Sequence, residues 1–218
     1  MSVEQVTFLR VCNAYVVRED DGVTLVDTGP RRGLGGVQAA IARTGLPLRR
    51  ILLTHAHSDH VAGVDDLIDD GVELIVGRRE SRLMAGDLSL TGAEQRRIKA
   101  RSVAAPTAIP TRLVSDGDLV GSLQVFDTPG HSPGHISLID TRDGLLIAGD
   151  ALTTLGRVAV SGDLIWRWPF PALLTWDKEA ARQSAARLAE LAPTRLATGH
   201  GPILDDAAAA IRAAVDRA

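Results

Sequence analysis

The six histidines of this 218-residue sequence all lie in short segments that also contain glycine or aspartate. The densest segment runs from 55 to 60 with the sequence HAHSDH, and it holds four side chains of the kind that bind metal ions. If the chain is extended there, the alternation of side chains along a strand places His55 and His57 on the same side, as two ligands of one cation require. Asp59 and His60 then open a helix and approach from a different backbone direction, which makes them available to a second cation.

The other candidate residues follow short runs that are typical of buried strands. Glycine stands directly before His131, Asp150 and His200, and Asp27 follows the run at 24–26. Strand ends meet at one edge of a sheet, and glycine lets the backbone turn sharply there. A single histidine is more often a solvated or core residue. A buried cluster without metal, however, would leave polar nitrogens without partners, so the pattern favours a metal site at a sheet edge.

Apolar runs and turn residues predict the elements that position these side chains. Strands are expected at 3–10, 14–18, 23–26, 50–54 and 73–76, with helices at 33–44 and 60–69. After an insertion at 78–112 with a helix at 94–101, strands are expected at 119–120, 123–126, 136–139, 145–148 and 194–198, and helices at 177–191 and 205–215. No linker rich in proline, serine or glycine divides the chain, so we expect a single domain over residues 1–218.

Composition and charge exclude several classes of protein. Hydrophobic residues make up 45% of the chain and charged residues 23%, as in ordinary globular proteins. The formal net charge of -3 argues against a basic surface for nucleic acid, and no apolar run approaches the roughly 20 residues that cross a membrane. No secretory signal is visible, so we expect a cytoplasmic protein with a small-molecule substrate, and a homo-oligomer is left open. The single cysteine, Cys12, is expected to be a buried, inert thiol.

Taken together, these motifs resemble those of the metallo-β-lactamase superfamily. The matching segments are His55-Ala56-His57-Ser58-Asp59-His60, Gly130-His131, Gly149-Asp150, Gly199-His200 and the first motif, Val26-Asp27-Thr28-Gly29. They occur in the expected order from about residue 6 to residue 202, and they are specific for the fold and the metal site rather than for the substrate. The resemblance implies an α/β (α+β) fold, a four-layer αββα sandwich of two mixed β-sheets with the site at one edge.

The same resemblance assigns the candidate ligands to two metal ions. His55, His57 and His131 would bind the first ion, Asp59, His60 and His200 would bind the second, and Asp150 would bridge the two. Asp27 would contact the ligating side chains without binding a metal ion itself. His135 would be a support or a strand-packing residue, with direct ligation as the alternative. Imidazole and carboxylate ligands suit zinc, while iron and manganese suit the same atoms.

A pair of divalent cations at such a site implies a hydrolase. Metal binding lowers the pKa of water to about 7, and two ions hold a nucleophile and a developing oxyanion together. We therefore expect a hydroxide that bridges two metal ions, with Asp59 as the catalytic residue that orients it, to cleave a carboxylic ester, thioester or lactone. The alternatives are a mononuclear-iron oxidoreductase of the persulfide dioxygenase type, a β-lactam or phosphodiester hydrolase, and a metal-binding module without activity.

Differences between this sequence and known family members narrow the choice of branch within the superfamily. The site resembles those of glyoxalase II and the lactonases, but the chain is expected to lack the glutathione-binding C-terminal domain, because it ends soon after His200. Asp150 is not followed by the tyrosine expected of quorum-signal lactonases. Three aromatic residues are candidates for an apolar wall of the substrate pocket or, as the alternative, for a subunit contact. They are Trp166, Trp168 and Phe170.

Overall fold

The computed structural model describes residues 2–87, 89, 103, 106–166 and 169–218. The first sheet contains the strands β1 (Val3–Phe8), β2 (Cys12–Glu19), β3 (Gly22–Val26), β4 (Leu48–Leu53), β5 (Glu73–Gly77) and β6 (Arg112–Val114). These strands lie in chain order across the sheet. The pairings from β1 to β3 are antiparallel and those from β3 to β6 are parallel. Because β3, β4 and β5 run parallel, their C-terminal ends lie at the same edge of the sheet.

The C-terminal half provides a second mixed sheet. Its strands and a small neighbouring pair are β7 (Leu119–Val120), β8 (Leu123–Asp127), β9 (Ile136–Asp140), β10 (Leu145–Ile147), β11 (Leu152–Thr153), β12 (Ala159–Val160), β13 (Arg195–Ala197) and β14 (Leu204–Asp205). The large sheet has the order β14-β13-β10-β9-β8-β7, whereas β11 pairs with β12. Within the large sheet β10 and β13 are parallel and the other pairs are antiparallel.

Helices connect the strands and pack against the sheets. They are α1 (Leu34–Thr44), α2 (Ser58–Val61), α3 (Val64–Leu67), α4 (Arg78–Met84), α5 (Phe170–Leu174), α6 (Lys178–Glu190) and α7 (Ala207–Val215). Helix α6 begins where the sequence predicts, because the side chain of Asp177 accepts hydrogen bonds from the backbone N–H groups of Glu179 and Ala180. Among the described residues, no helix is both long and apolar enough to cross a membrane.

Alternating side chains along the strands divide the core into three layers of contact. In β4, Leu52 belongs to the cluster between the two sheets, together with Leu138 of β9. Its neighbours Ile51 and Leu53 belong to the outer cluster that includes Val37 of α1. A third cluster joins β10 and β13 to α6 and α7. Helices therefore flank two stacked mixed sheets, which confirms the predicted α/β fold of the αββα type.

One predicted helix differs from the structure, and one helix of the structure lies where none was expected. The single helix expected at 60–69 is divided into α2 and α3, because the N–H group of Gly63 donates to Thr28 Oγ1 at 3.1 Å instead of continuing the helical ladder. A Cβ atom at Gly63 would lie 2.4 Å from Leu34 Cδ2, so a larger residue here would force the Leu34 side chain to move. Helix α4 occupies part of the segment that the sequence indicated only as an insertion. The helix expected at 94–101 lies outside the described residues.

Candidate metal centre

The predicted ligand residues converge at one edge of the sandwich, in segments that follow strands. The segment after β4 provides a loop and helix α2, and the other residues follow β8, β10 and β13 of the second sheet. Asp150 links the groups, because its carboxylate lies close to the rings of His131 and His200. The structure brings together all of the residues that the sequence predicted as ligands. They are His55, His57, Asp59, His60, His131, Asp150 and His200.

One group of three histidines forms the first candidate position for a metal ion. Ligand atoms of His55, His57 and His131 lie within 4.8 Å of one another. The ring centroids of His55 and His57 are 4.6 Å apart, as are those of His57 and His131. His131 Nε2 lies 2.8 Å from His57 Nδ1, so two ring nitrogens face the same point from different strand ends. Three neutral imidazoles in this arrangement could share one cation.

Two carboxylates stand among the ring nitrogens. Asp150 Oδ2 lies 3.4 Å from His131 Nε2 and 3.1 Å from His200 Nε2, while Asp150 Oδ1 lies 3.5 Å from His60 Nε2. Asp59 Oδ2 lies 3.5 Å from His200 Nε2 and 3.8 Å from His60 Nε2. Asp150 therefore contacts residues of both predicted ligand groups, and Asp59 contacts those of the second group.

Hydrogen bonds behind the rings determine which nitrogen of each histidine faces the centre. His60 Nδ1 lies 2.8 Å from Asp27 Oδ2, and His200 Nδ1 lies 2.9 Å from the carbonyl oxygen of Val11. His131 Nδ1 lies 2.9 Å from Ser161 Oγ. Each Nδ1–H can donate to its oxygen neighbour, which leaves the Nε2 lone pair free to bind a cation.

Asp27 and Thr54 organise the ring of His55 in the same way. Thr54 Oγ1 donates to Asp27 Oδ2 at 2.8 Å and lies 3.0 Å from His55 Nδ1. The N–H group of Thr54 donates to the other oxygen, Asp27 Oδ1, at 2.8 Å. Asp27 is thus in contact with the backs of the rings rather than with the ligand-facing nitrogens. Its φ of 58° lies in the left-handed region, which bends the chain as it leaves β3.

His135 is placed differently from the predicted ligands. Its Nε2 accepts a hydrogen bond from the N–H group of Asp150 at 3.0 Å, so its proton is on Nδ1, which lies 2.8 Å from Thr128 Oγ1. Both ring nitrogens are therefore engaged with protein groups, which leaves neither for a metal ion. This geometry speaks against the alternative of direct ligation and makes His135 a support for the Asp150 loop.

Three buried atoms at the centre provide a test of whether the residues fit a cation. His55 Nε2, His60 Nε2 and Asp150 Oδ1 are buried and have no hydrogen-bond partner in the described part of the chain. The same three residues form a group whose ligand atoms lie within 4.8 Å of one another. Leaving such atoms unsatisfied costs about 1–3 kcal/mol each, and more for a charged group. A cation among them would satisfy all three atoms, so the residues present fit a metal ion.

Burial keeps most of the histidines neutral. It lowers the pKa of His57 to about 4 and that of His135 to about 3. It also lowers the pKa values of His55 and His131 well below the usual range, and the neighbouring imidazoles act in the same direction. Neutral imidazole is the form that binds a metal ion.

The pKa values of His60 and His200 are raised rather than lowered, because carboxylates surround these two rings. Burial alone would lower the pKa of His60, but Asp150, Asp59 and Asp27 raise it to about 10. Asp150 likewise raises the pKa of His200 well above its usual range against the effect of burial. Burial would raise the pKa of Asp150, yet His200 and His60 hold it well below its usual range. Without metal, protons on these two histidines balance the carboxylates.

Glu80 is a buried residue of this region that the sequence analysis missed. Its Oε1 accepts a hydrogen bond from the N–H group of Ala56 at 2.7 Å. Its Oε2 accepts from Ser132 Oγ at 2.8 Å and from the N–H group of Gly134 at 3.0 Å. Burial raises the pKa of Glu80 to about 7. This one carboxyl group therefore joins the loop of His55 and His57 to the loop of His131. The sequence gives no signal of such a role, because Glu80 stands in a charged helical segment.

Two polar residues of β2 that the sequence analysis also missed fix the loop of His200. Asn13 Nδ2 donates to the carbonyl oxygens of Thr198 at 2.9 Å and Gly201 at 2.7 Å. Tyr15 Oη donates to the carbonyl oxygen of Thr198 at 2.7 Å, and burial raises its pKa above the usual range. These bonds join the first sheet to the end of β13 in the second sheet.

The aromatic residues proposed for the pocket are only partly described. The side chain of Trp166 is 89% exposed. Trp168 lies outside the described residues, and of Phe170 only the backbone, at the start of α5, is described. The chain returns to the centre after α5, where the N–H group of Trp176 donates to the carbonyl oxygen of His131 at 3.1 Å.

A sandwich of two mixed sheets with histidines and aspartates gathered at one edge defines a class of metal-dependent enzymes. The sequence model of the metallo-beta-lactamase superfamily matches residues 7–200. The chain belongs to this superfamily, as the resemblance of its motifs predicted.

Individual relatives agree with this assignment. The chain is 42% identical to the "Uncharacterized protein YobT" of Bacillus subtilis (strain 168), covering 100% of this chain and 96% of the relative. It is 27% identical to a hydroxyacylglutathione hydrolase of Cupriavidus metallidurans, covering 86% of this chain and 65% of that enzyme. It resembles the crystal structure of TTHA1623 in a di-iron-bound form with a TM-score of 0.68 and 29% identity, covering 94% of each chain. The protein is a hydrolase of this superfamily, which confirms the predicted enzyme class.

Proposed function

We propose that the protein uses two divalent metal ions, preferably zinc, to hydrolyse a carboxylic ester, thioester or lactone. The observation that carries this proposal is the position of Asp150, whose carboxylate oxygens lie 3.5, 3.4 and 3.1 Å from the Nε2 atoms of His60, His131 and His200. A carboxylate in such a position can serve two ions at once. In this proposal one ion is held by His55, His57 and His131, and the other by Asp59, His60 and His200.

Two divalent cations would lower the pKa of water to about 7 and polarise a carbonyl oxygen. The role of the protein is to orient the reacting groups. The side chain of Asp59 is 36% exposed, whereas those of Asp150 and His200 are each 4% exposed. Asp59 therefore borders the solvent side of the centre, and in this proposal its carboxylate orients the attacking water while it binds the second ion.

Charge supports a substrate whose carbonyl oxygen becomes anionic during the reaction. Two divalent cations carry more positive charge than Asp59 and Asp150 neutralise, so the inner site favours a developing negative charge. The similarity to a hydroxyacylglutathione hydrolase supports thioesters within this group of substrates. The similarity to TTHA1623, whose structure is of a di-iron-bound form, supports iron as the alternative metal. A small-molecule substrate and a cytoplasmic location stay predictions.

Metal analysis combined with a substrate panel tests the proposal. We expect two metal ions per chain in the purified protein and turnover of at least one member of a panel of thioesters, esters and lactones. A β-lactam and a phosphodiester serve as comparison substrates from the alternative hydrolase classes. One iron per chain with oxygen uptake and no hydrolysis would contradict the proposal and favour the persulfide dioxygenase type.

Metal binding should release protons, because His60 and His200 hold protons in the metal-free cluster. The pKa of His60 is raised to about 10 and that of His200 is also raised, so both rings are protonated at neutral pH and must lose a proton to bind. Affinity should therefore increase as the pH rises from 6 to 8, and these two rings should contribute up to about two of the protons released. Calorimetric titrations in two buffers of different ionisation enthalpy measure this release. Equal binding heats in both buffers would contradict the expectation.

Trp166→Ala should change substrate preference without destabilising the fold. Because the side chain is 89% exposed, its removal leaves no core cavity, and the free energy of unfolding should change by less than about 0.5 kcal/mol. We expect KM for long acyl chains to rise about three- to tenfold, since loss of an apolar contact of about 1 kcal/mol has that effect. Leu173→Ala, which is also exposed, is the matched control. Unchanged preference with an altered oligomer size would favour the subunit-contact alternative.

A further inference from the structure

We propose that Cys12 is part of the second metal position and binds its ion as a thiolate. The inference rests on the proposed two-metal site and adds a sulfur ligand to it. Cys12 opens β2 and is buried, with 7% of the residue exposed. Its Sγ lies 3.6 Å from Asp59 Oδ2. Ligand atoms of Cys12, Asp59 and His200 lie within 4.8 Å of one another, as those of a shared ion would.

An independent observation points to a ligand at the same place. His60 Nε2 is buried and has no hydrogen-bond partner within the described ranges, and it lies 3.8 Å from Asp59 Oδ2. His200 Nε2 lies 3.5 Å from the same oxygen. One sulfur and two ring nitrogens are therefore directed at a single carboxylate oxygen from three different elements. An S–H hydrogen bond to Asp59 accounts for the thiol alone, whereas a cation among these atoms would also engage the buried His60 Nε2.

The backbone on both sides of Cys12 holds the sulfur beside His200. The N–H group of Asn13 donates to the carbonyl oxygen of Gly199 at 2.9 Å. On the other side, the carbonyl oxygen of Val11 lies 2.9 Å from His200 Nδ1. The residues before and after Cys12 are thus bonded to the segment that carries the predicted ligand. This fixes the position of the thiol more firmly than packing alone would.

The binding step itself is an exchange of a proton for a metal ion. The sulfur–metal bond forms as the S–H bond breaks, and the proton passes to the solvent buffer. A thiolate is a soft ligand, so it should favour zinc or cobalt over manganese at the second position. The first position, with three imidazoles, has no sulfur ligand and should lack this bias.

Cobalt(II) titration of the metal-free full-length protein tests the inference. Cys12 is the single cysteine of the chain, so any sulfur-to-cobalt charge-transfer band in the ultraviolet must come from this residue. We expect the band to grow with one of the two equivalents of cobalt and to be absent in Cys12→Ser and Cys12→Ala. We also expect the variants to bind that equivalent at least about tenfold more weakly.

The outcomes separate this inference from the proposed function. Two bound cobalt ions without the band in the wild-type protein would overturn sulfur ligation and leave the two-metal hydrolase intact. Fewer than two bound ions without the band would overturn both the two-metal site and the inference, whereas a single bound ion with the band would overturn the two-metal site and still support sulfur ligation by Cys12. A band that persists in Cys12→Ser would also overturn it. Because the wild-type spectrum decides by itself, the test holds even if a variant does not fold.

Discussion

Replacing Asp150 by alanine should reduce the bound metal from two ions to one or none and lower kcat/KM for the best substrate by about a thousandfold or more. The carboxylate of Asp150 lies 3.4 Å from His131 Nε2 and 3.1 Å from His200 Nε2, so its removal affects both predicted metal positions. Removal also takes away the main group that raises the pKa values of His60 and His200. Elemental analysis after dialysis and steady-state kinetics measure the two effects.

Asp216→Ala provides the matched control for this experiment. Asp216 is an exposed aspartate that follows α7, and it is 16 positions beyond His200, the last of the predicted ligands. The control should retain both ions and full turnover. A variant lacking Asp150 that kept two ions and normal kinetics would contradict the shared role of this carboxylate, even if the protein still hydrolysed esters.

Replacing Glu80 by alanine should lower the free energy of unfolding by about 3–5 kcal/mol, because three buried donors lose their acceptor at once. The donors are the N–H groups of Ala56 and Gly134 and the hydroxyl group of Ser132. Glu80 itself is fully buried, so water cannot replace the lost oxygens without opening the structure. Urea unfolding of the metal-free protein measures this loss without a contribution from bound ions.

The same substitution should also weaken metal binding, because Glu80 joins two of the loops that carry predicted ligands. We expect a loss of about 10- to 100-fold in affinity, as when other groups that orient ligands are removed. Glu80→Gln keeps the size of the side chain and one acceptor oxygen, so it should give a smaller loss than alanine. Glu190→Ala, at an exposed position of α6, is the control and should leave stability within about 0.5 kcal/mol of the wild type. An alanine variant at position 80 with wild-type stability would contradict the role assigned to the buried carboxyl group.

The positions of most strands and of the segments that carry the candidate ligands could be predicted because both are recorded in local sequence patterns. Apolar runs located β4 and β10, and the points near which these strands end were marked by His55 after β4 and by Gly149-Asp150 after β10. Asp177 predicted the start of α6 because an N-cap acts on its immediate neighbours. The family motifs then supplied the pairing of distant residues that local patterns cannot supply.

The features that escaped prediction depend on contacts between distant parts of the chain. Cys12 and Asp59 are separated by 47 positions, and nothing in either local sequence indicates that they meet. Glu80 stands among charged residues of α4, where a solvated side chain is the usual expectation, yet it is buried against two loops. The break at Gly63 likewise depends on Thr28, which is 35 positions away in sequence.

The division of the centre between the two sheets has a consequence for how the molecule assembles. His55 and His60 come from the segment after β4, whereas His131, Asp150 and His200 come from the C-terminal half. In the proposed two-metal site neither half carries a complete set of ligands, so we expect a polypeptide cut between α4 and β6 to bind two ions only after its two fragments reassociate. Metal binding could then be used to measure the association of the two fragments. Ions bound by ligands from both fragments would stabilise the interface between them.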